Sequence, residues 1–117
     1  MIEPREPRQR IAQVSASMLS GDMPFLEGAH ELASLRHQIK GGDDDQDFRV
    51  FVAIASETDH LPLGPSRQYW AEDALRRHQP EFDAATTWAK QWGMNACESL
   101  ARRFSAYLQP GLEDLHP

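Results

Sequence analysis

The sequence predicts an all-α fold, an irregular bundle of about five helices with a long C-terminal helix. Apolar residues recur three or four positions apart through most of the chain, which is the spacing of one helical face. The one strand-like stretch has no second strand to pair with. With 117 residues, 40% of them hydrophobic and 26% charged, the chain fits a single domain over 1–117, with an ordered core over about 6–109 and frayed termini.

End signals mark the first two helices. Pro7 suits the first turn of a helix, and Gly21 stops the apolar spacing that follows. Asp22 is predicted to cap a second helix, which runs to about Lys40 and ends at Gly41-Gly42. The residues predicted to face inward are Ile11, Val14, Met18 and Leu19 on the first helix and Phe25, Ala29, Leu32, Leu35 and Ile39 on the second.

An acidic segment, residues 43–47, leads into the third helix. Asp47 is predicted to cap this helix, and the aspartates before it favour its positive N-terminal end. A calcium loop is the weaker interpretation, because the spaced acids and the late Glu of an EF-hand are missing. Residues 48–56 alternate as a strand would and also form a helical face. Because an isolated strand has nothing to pair with, we predict a helix.

The second half of the chain predicts a loop, a short helix and one long helix. Residues 61–69 carry two prolines and a glycine and form the loop, and Trp70 is expected to pack it onto the core. The short helix covers 71–78. The long helix covers 81–108, with Gly93 as a candidate kink.

Two tryptophans lie four residues apart on the long helix. Trp92 is expected in the core, whereas Trp88 is undecided and would anchor an interface if it were exposed. A homodimer that pairs the long helix with its copy through Trp88 follows as one alternative. Pro110-Gly111 is expected to end the helix.

Charge and composition exclude some classes of partner. The formal net charge of −6 lacks the basic footprint of a general nucleic-acid binder. No apolar run approaches the roughly 18 residues of a membrane span, and the first residues lack the apolar segment of a secretory signal. Cys97, the one cysteine, stands in an apolar helical pattern and is expected to be buried. We therefore predict a cytoplasmic protein that binds neither nucleic acid nor membranes.

The densest polar cluster follows the apolar run of the third helix. Hydroxyl groups near a helix end can bond to the backbone, and Glu57 and Asp59 are expected to pair with nearby arginines, Arg49 among them. Such pairs would clamp the 61–70 loop onto the bundle, so Asp59→Ala is expected to lower thermal stability. The predicted polar cluster, a candidate binding site, comprises Ser56, Glu57, Thr58, Asp59, His60, Arg36 and Arg67.

A metal site is one chemical alternative for the same cluster. The pattern Glu-x-x-His places both side chains on one helical face, where they can hold a metal ion. It occurs at Glu27/His30, Glu57/His60 and Glu113/His116. The candidate ligands are Glu27, His30, Glu57 and His60. We predict no metal and no cofactor, because His60 lies at a turn and no helix clearly supplies further ligands.

A hydrolytic site is the other chemical alternative. Ser56 or Thr58 could act as nucleophile with His60 as base, or with His30 or His37 from another helix. The sequence contains neither a nucleophile elbow nor an evident oxyanion loop. No catalytic residue is therefore assigned, and the interpretation leans away from an enzyme.

Several motifs resemble a family of small uncharacterised bacterial proteins. The run 50–54 (VFVAI), followed by 56–59 (SETD) and 61–64 (LPLG), resembles the central motif of this family, whose domain has no known function. The stretch 26–36 and the pair Arg67 and Trp70 are also similar to its layout. Ala55 stands where the family would have an acid. The resemblance covers about residues 17–104 and implies a one-domain bacterial protein without implying an activity.

Taken together, the sequence favours a non-enzymatic module that binds another protein. The more specific version is an immunity- or antitoxin-like inhibitor whose negative surface covers a basic site on its partner. The complementary charges would speed the association of the two proteins. The alternative is a metal-dependent or hydrolytic enzyme that uses Glu27/His30 and Glu57/Asp59/His60.

Overall fold

A computed structural model describes residues 5–108, with no description of the side chains of residues 5 and 64–66. All regular structure in this range is helical, which confirms the predicted all-α bundle. The five α-helices are α1 (Arg5–Ser20), α2 (Phe25–Leu35), α3 (Gln46–Thr58), α4 (Glu72–Arg77) and α5 (Gln79–Arg103). The expected frayed termini and the Pro110-Gly111 stop lie outside the described residues.

Short 3₁₀ turns follow or precede several helices, and the α-helices therefore end at other residues than predicted. They cover Arg36–Gln38, Gly42–Asp44, Gly64–Tyr69 and Ser105–Leu108. The second helix ends at Leu35, five residues before the predicted Lys40, because the chain becomes extended at Ile39 and brings Gly42 against the backbone of Arg36. A Cβ at Gly42 would overlap the Arg36 carbonyl oxygen, so only glycine fits this approach.

Two predicted caps are wrong. Asp45, not Asp47, caps α3. Its backbone is extended, directly before the first helical residue, and its carboxylate accepts the Asp47 N–H at 2.9 Å. At α2 the cap position is Pro24, which makes no side-chain cap bond. Asp22 lies two residues too early for that role, and its carboxylate accepts the Ser20 hydroxyl at 3.0 Å instead.

The core lies where α1, α2, α3 and α5 pack together. Its largest fully buried apolar side chains are Phe48, Phe51, Ile11, Leu32, Ile54, Leu100 and Val14. Cys97 is also buried, as expected, and its Sγ lies 3.4 Å from the Ser15 carbonyl oxygen. Burial raises the pKa of the Cys97 thiol to about 12, so this cysteine stays protonated at neutral pH.

The middle of α5 presents small residues to the core, and Trp92 is not among the buried residues of this helix, which corrects the expectation for it. Ala89, Gly93 and Ala96 are buried, and a Cβ on Gly93 would lie 2.9 Å from Ile54 Cδ1. The helix runs through Gly93 as one element, so this glycine serves close packing rather than a kink. Trp92, the residue before Gly93, lies at the edge of this face and is 65% exposed.

Ion pairs join the start of α3 to the end of α5. Arg103 Nη1 donates to Asp47 Oδ2 at 2.7 Å and to Asp45 Oδ1 at 3.1 Å, and the Ser99 hydroxyl donates to Asp47 at 2.6 Å. Arg103 lowers the pKa of Asp45 by a direct hydrogen bond. At the opposite ends of both helices, His60 faces Glu81 at 3.6 Å, so α3 and α5 are antiparallel.

Apolar and aromatic contacts hold the loop between α3 and α4. Leu61 and Pro62 are buried, and the Leu61 N–H donates to the Thr58 carbonyl at 3.1 Å. The Arg67 guanidinium lies 5.5 Å from the Phe82 ring centroid. Half-buried Trp70 meets the His78 ring edge-on at 5.2 Å. The loop is therefore fixed to the α4–α5 junction.

Candidate functional site

A mostly apolar groove runs between α3 and α5. At one end it forms a pocket of about 420 Å³ whose floor and walls come from both helices. The lining residues are Arg49, Val50, Ala53, Ile54, Glu57, Trp88 and Trp92. Because the core face of α5 is narrow, the two tryptophans stand at the edge of the core instead of inside it.

A second pocket continues the first along the same two helices. Its volume is about 340 Å³, and it shares Glu57 and Trp88 with the first. Its other lining residues are Thr58, His60, Leu61, Glu81, Ala84 and Ala85. We call the two pockets together the α3–α5 groove. It spans about three helical turns of α3.

The two ends of the groove carry opposite charges. Glu57 is exposed and makes no ion pair among residues 5–108, and Glu81 at the same end faces only His60 at 3.6 Å and His78 at 3.9 Å. At the other end Arg49 lies 3.8 Å from the fully exposed Asp44. All of these pairs are loose and solvated, so each charge can exchange its partner at little cost.

Beneath the groove, a polar pair joins α2 to the end of α3. His30 Nε2 lies 2.8 Å from Thr58 Oγ1, and the Thr58 hydroxyl donates to the Ile54 carbonyl at 2.7 Å. Because the single hydroxyl proton goes to Ile54, the His30 Nε2–H must be the donor to Thr58. Burial lowers the pKa of His30, and the nearby Asp59 carboxylate opposes that shift.

The His30–Thr58 pair combines a hydroxyl and an imidazole, as a nucleophile and its base would, but the hydroxyl is not exposed. Thr58 is only 2% exposed, and its proton is already donated to the backbone. This geometry presents no free hydroxyl to the groove, and the pair holds the end of α3 to α2. Of the other hydrolytic candidates, Ser56 is exposed and bonds to no imidazole within the described chain, while His37 pairs with Asp43 at 3.0 Å.

The candidate metal ligands do not come together. Within residues 5–108, no three His, Cys, Asp or Glu side chains are placed to hold an ion. His30 faces Thr58, and His60 points to Glu81 at the far edge of the groove. The pair Glu113/His116 lies outside the described residues.

The arginines expected to clamp Glu57 and Asp59 bind elsewhere. Arg36 donates to the Ala33 carbonyl and lies 3.4 Å from Asp43. Arg49 faces Asp44, and Arg67 covers the Phe82 ring. Both acids are exposed and have no ionic partner in the part of the chain that the structure describes. The polar cluster of residues 56–60 therefore splits, with buried Thr58 on one side and exposed acids on the other.

Comparison with known proteins adds no relative. No protein-family model, curated protein or solved structure matches this chain. The resemblance to the family of small bacterial proteins stays a prediction. No helix within residues 5–108 has both the length and the apolar character that crossing a membrane requires.

Sequence reasoning missed Trp92, Val50 and Ala53 as site residues. A signal for Trp92 was present: Ala89, Gly93 and Ala96 recur at helical spacing and mark a face of α5 that permits close approach. Trp92 follows Ala89 by three positions and precedes Ala96 by four, so it lies at the border of that face, where a bulky side chain can stay exposed. The groove itself depends on the distance between two packed helices, which no local pattern encodes.

Proposed function

We propose that this protein acts by binding another protein through the α3–α5 groove. The observation that supports this most is the exposure of Trp92, 65%, at the edge of an apolar groove that also contains the half-buried Trp88. Leaving an indole in water forgoes burial worth about 2 kcal/mol, and tryptophans are enriched among the residues that dominate binding energy.

The charges support a partner that brings a basic group to the acidic end. Glu57 is unpaired within residues 5–108, and Glu81 is exposed beside it. A net charge of −6 steers a basic partner toward the protein and makes the encounter sensitive to salt. The more specific version is a cytoplasmic immunity- or antitoxin-like inhibitor that covers a basic surface of its target.

Photo-crosslinking from the groove tests the proposal. A photoreactive phenylalanine at position 92, introduced in the native cell, should give a discrete protein adduct. The control places the same residue at position 13, where Gln13 is exposed on α1 outside the groove. The absence of any adduct from position 92, or the same adducts from both positions, would argue against binding through the groove.

For the enzymatic alternative, no observation within residues 5–108 favours a catalytic or metal site over binding. Its test is elemental analysis of the protein purified without a histidine tag. Stoichiometric iron, manganese or zinc would favour the enzyme.

A further inference from the structure

The charges along α3 are arranged symmetrically about one small residue. Arg49 precedes Ala53 by four positions and Glu57 follows it by four, and all three are exposed on the groove side. Each charge therefore stands about 6 Å from Ala53 along the helix axis, one toward each end. A surface that is positive at one end and negative at the other, with a small residue between, is complementary to itself when it is turned around.

A two-fold axis through Ala53, at right angles to α3, satisfies both charges at once. It lays α3 antiparallel on α3 of a second copy, so that Arg49 of each copy faces Glu57 of the other. Isologous contacts of this kind are the commonest way in which identical chains associate. The absence of a side chain beyond Cβ at Ala53 allows the two helices to approach closely. Arg49 gives up only its loose contact with Asp44, 3.8 Å away and exposed.

The same rotation lays α5 antiparallel on α5 of the second copy. Because Gly93 of α5 packs against Ile54, Trp92 lies close to the level of Ala53 and therefore close to the axis, where it faces Trp92 of the second copy. The two exposed indoles would be buried against each other, and contacts between aromatic rings stabilise interfaces beyond the burial of area. The basic group that the acidic end requires is supplied by Arg49 of the copy.

We propose that the occupant of the α3–α5 groove is a second copy of this chain, in a two-fold dimer centred on Ala53. This inference rests on the proposed use of the groove as a binding surface and names a second copy, in place of a basic target, as the partner. The Arg49–Glu57 contact forms twice in this dimer, and the two Trp92 side chains meet near its axis.

Sedimentation equilibrium of the full chain over a wide range of concentration tests the dimer. The mass should rise from 13.3 kDa toward twice that value. Arg49→Glu and Glu57→Arg alone each place two like-charge contacts in the interface and should weaken dimerisation by more than about a hundredfold. The double variant Arg49→Glu/Glu57→Arg restores opposite charges and should return to within about tenfold of the wild type.

A matched pair on α4 controls for the change in charge. Arg76 and Glu72 are an exposed ion pair at 3.4 Å, outside the groove. Arg76→Glu and Glu72→Arg should leave the dimerisation constant unchanged. Because all four substituted residues are exposed, we expect every variant to fold, and circular dichroism checks this.

Two results would overturn the dimer. One is a wild-type mass of one chain at every concentration. The other is a double variant that associates as weakly as the single ones. A monomer that still crosslinks from position 92 to a different protein would reject the dimer while keeping the groove as a binding surface. A monomer without any adduct would reject both.

Discussion

Helix α3 carries acidic residues at both ends, but the surroundings of these acids differ between the two ends. At its start, Asp45 and Asp47 hold Arg103, and Ser99 adds a further bond to Asp47. At its end, Glu57 and Asp59 are exposed, and neither has an ionic partner within residues 5–108. There α3 is held instead by the neutral bond between His30 and Thr58.

The difference follows from the direction of the helix. Carboxylates at the start of a helix satisfy free N–H groups and lie at the positive end of its dipole. Carboxylates at the last turn gain nothing from the dipole. The acids at the start of α3 therefore stabilise the fold, whereas those at its end are available for contact from outside. The following substitutions test this division, from the largest expected effect to the smallest.

Gly42→Ala tests how tightly the turn that leads into α3 is built. The new Cβ would overlap the Arg36 carbonyl oxygen, and the backbone cannot move aside easily. We expect the free energy of unfolding to fall by about 3 kcal/mol in urea denaturation. Gly41→Ala is the matched control. A Cβ at Gly41 would meet no other atom, so the substitution should lower the free energy of unfolding by only about 1 kcal/mol, the cost of holding alanine at a φ of 79°. Equal losses would show that the Gly42 contact is not tight.

Thr58→Val tests the neutral bond at the end of α3. The substitution keeps the shape of the side chain but removes the acceptor of the His30 N–H. We expect a loss of about 2 kcal/mol at neutral pH, measured by the same denaturation. Ser56→Ala, on the exposed side of the same turn, should change stability by less than about 0.5 kcal/mol. A Thr58→Val loss as small as that would mean that the bond does not hold the helix.

Arg103→Ala tests the ion pairs at the start of α3. Because Arg103 is partly exposed, solvent screens the pair, and the expected loss is about 1 kcal/mol at neutral pH. Arg103 lowers the pKa of Asp45 in the folded chain. The pair's contribution is thus complete above the ordinary Asp pKa of about 4 and is lost as the pH falls through the lower folded value.

The difference in stability between wild type and Arg103→Ala should therefore shrink as the solution is acidified below about pH 4. Arg102→Ala, on the neighbouring exposed position, is the control. A difference that stays constant into acid would mean that Arg103 acts through packing and not through charge.

Glu57→Ala and Asp59→Ala should have the smallest effect on stability. Both acids lack ionic partners within residues 5–108, so we expect changes below about 0.5 kcal/mol. This replaces the sequence-based expectation that Asp59→Ala would lower thermal stability. A clear drop in the melting temperature of either variant would restore the clamp that the sequence suggested.

Local patterns predicted the number and order of the helices because apolar residues recur at helical spacing, but they did not predict the helix ends, where both expected caps were wrong. The helical face of α3 was recognised, and the small residues of α5 were present in the sequence. Contacts between distant positions were not predictable. The partner of Thr58 lies 28 residues away, and Arg103 is separated from Asp45 by 58. The prediction for the acids of residues 57–59 failed for the same reason, since proximity in sequence said nothing about which arginines reach them.

The site was the least predictable part. Trp92 was assigned to the core because apolar spacing on α5 is broad, and only the packing of α3 against Gly93 shows which face is inside. The groove lies along the contact between α3 and α5, which pack closely at Gly93 while the two tryptophans stand at the edge of that contact. Neither helix alone carries that information.

Photo-crosslinking from position 92 in the Glu57→Arg and Arg103→Ala backgrounds tests the division between the two ends of α3 most directly. The account predicts that the adduct persists when Arg103 is replaced, because that residue stabilises the fold, and disappears when the charge of Glu57 is reversed. An adduct that survives Glu57→Arg and is lost in a still-folded Arg103→Ala variant would contradict it.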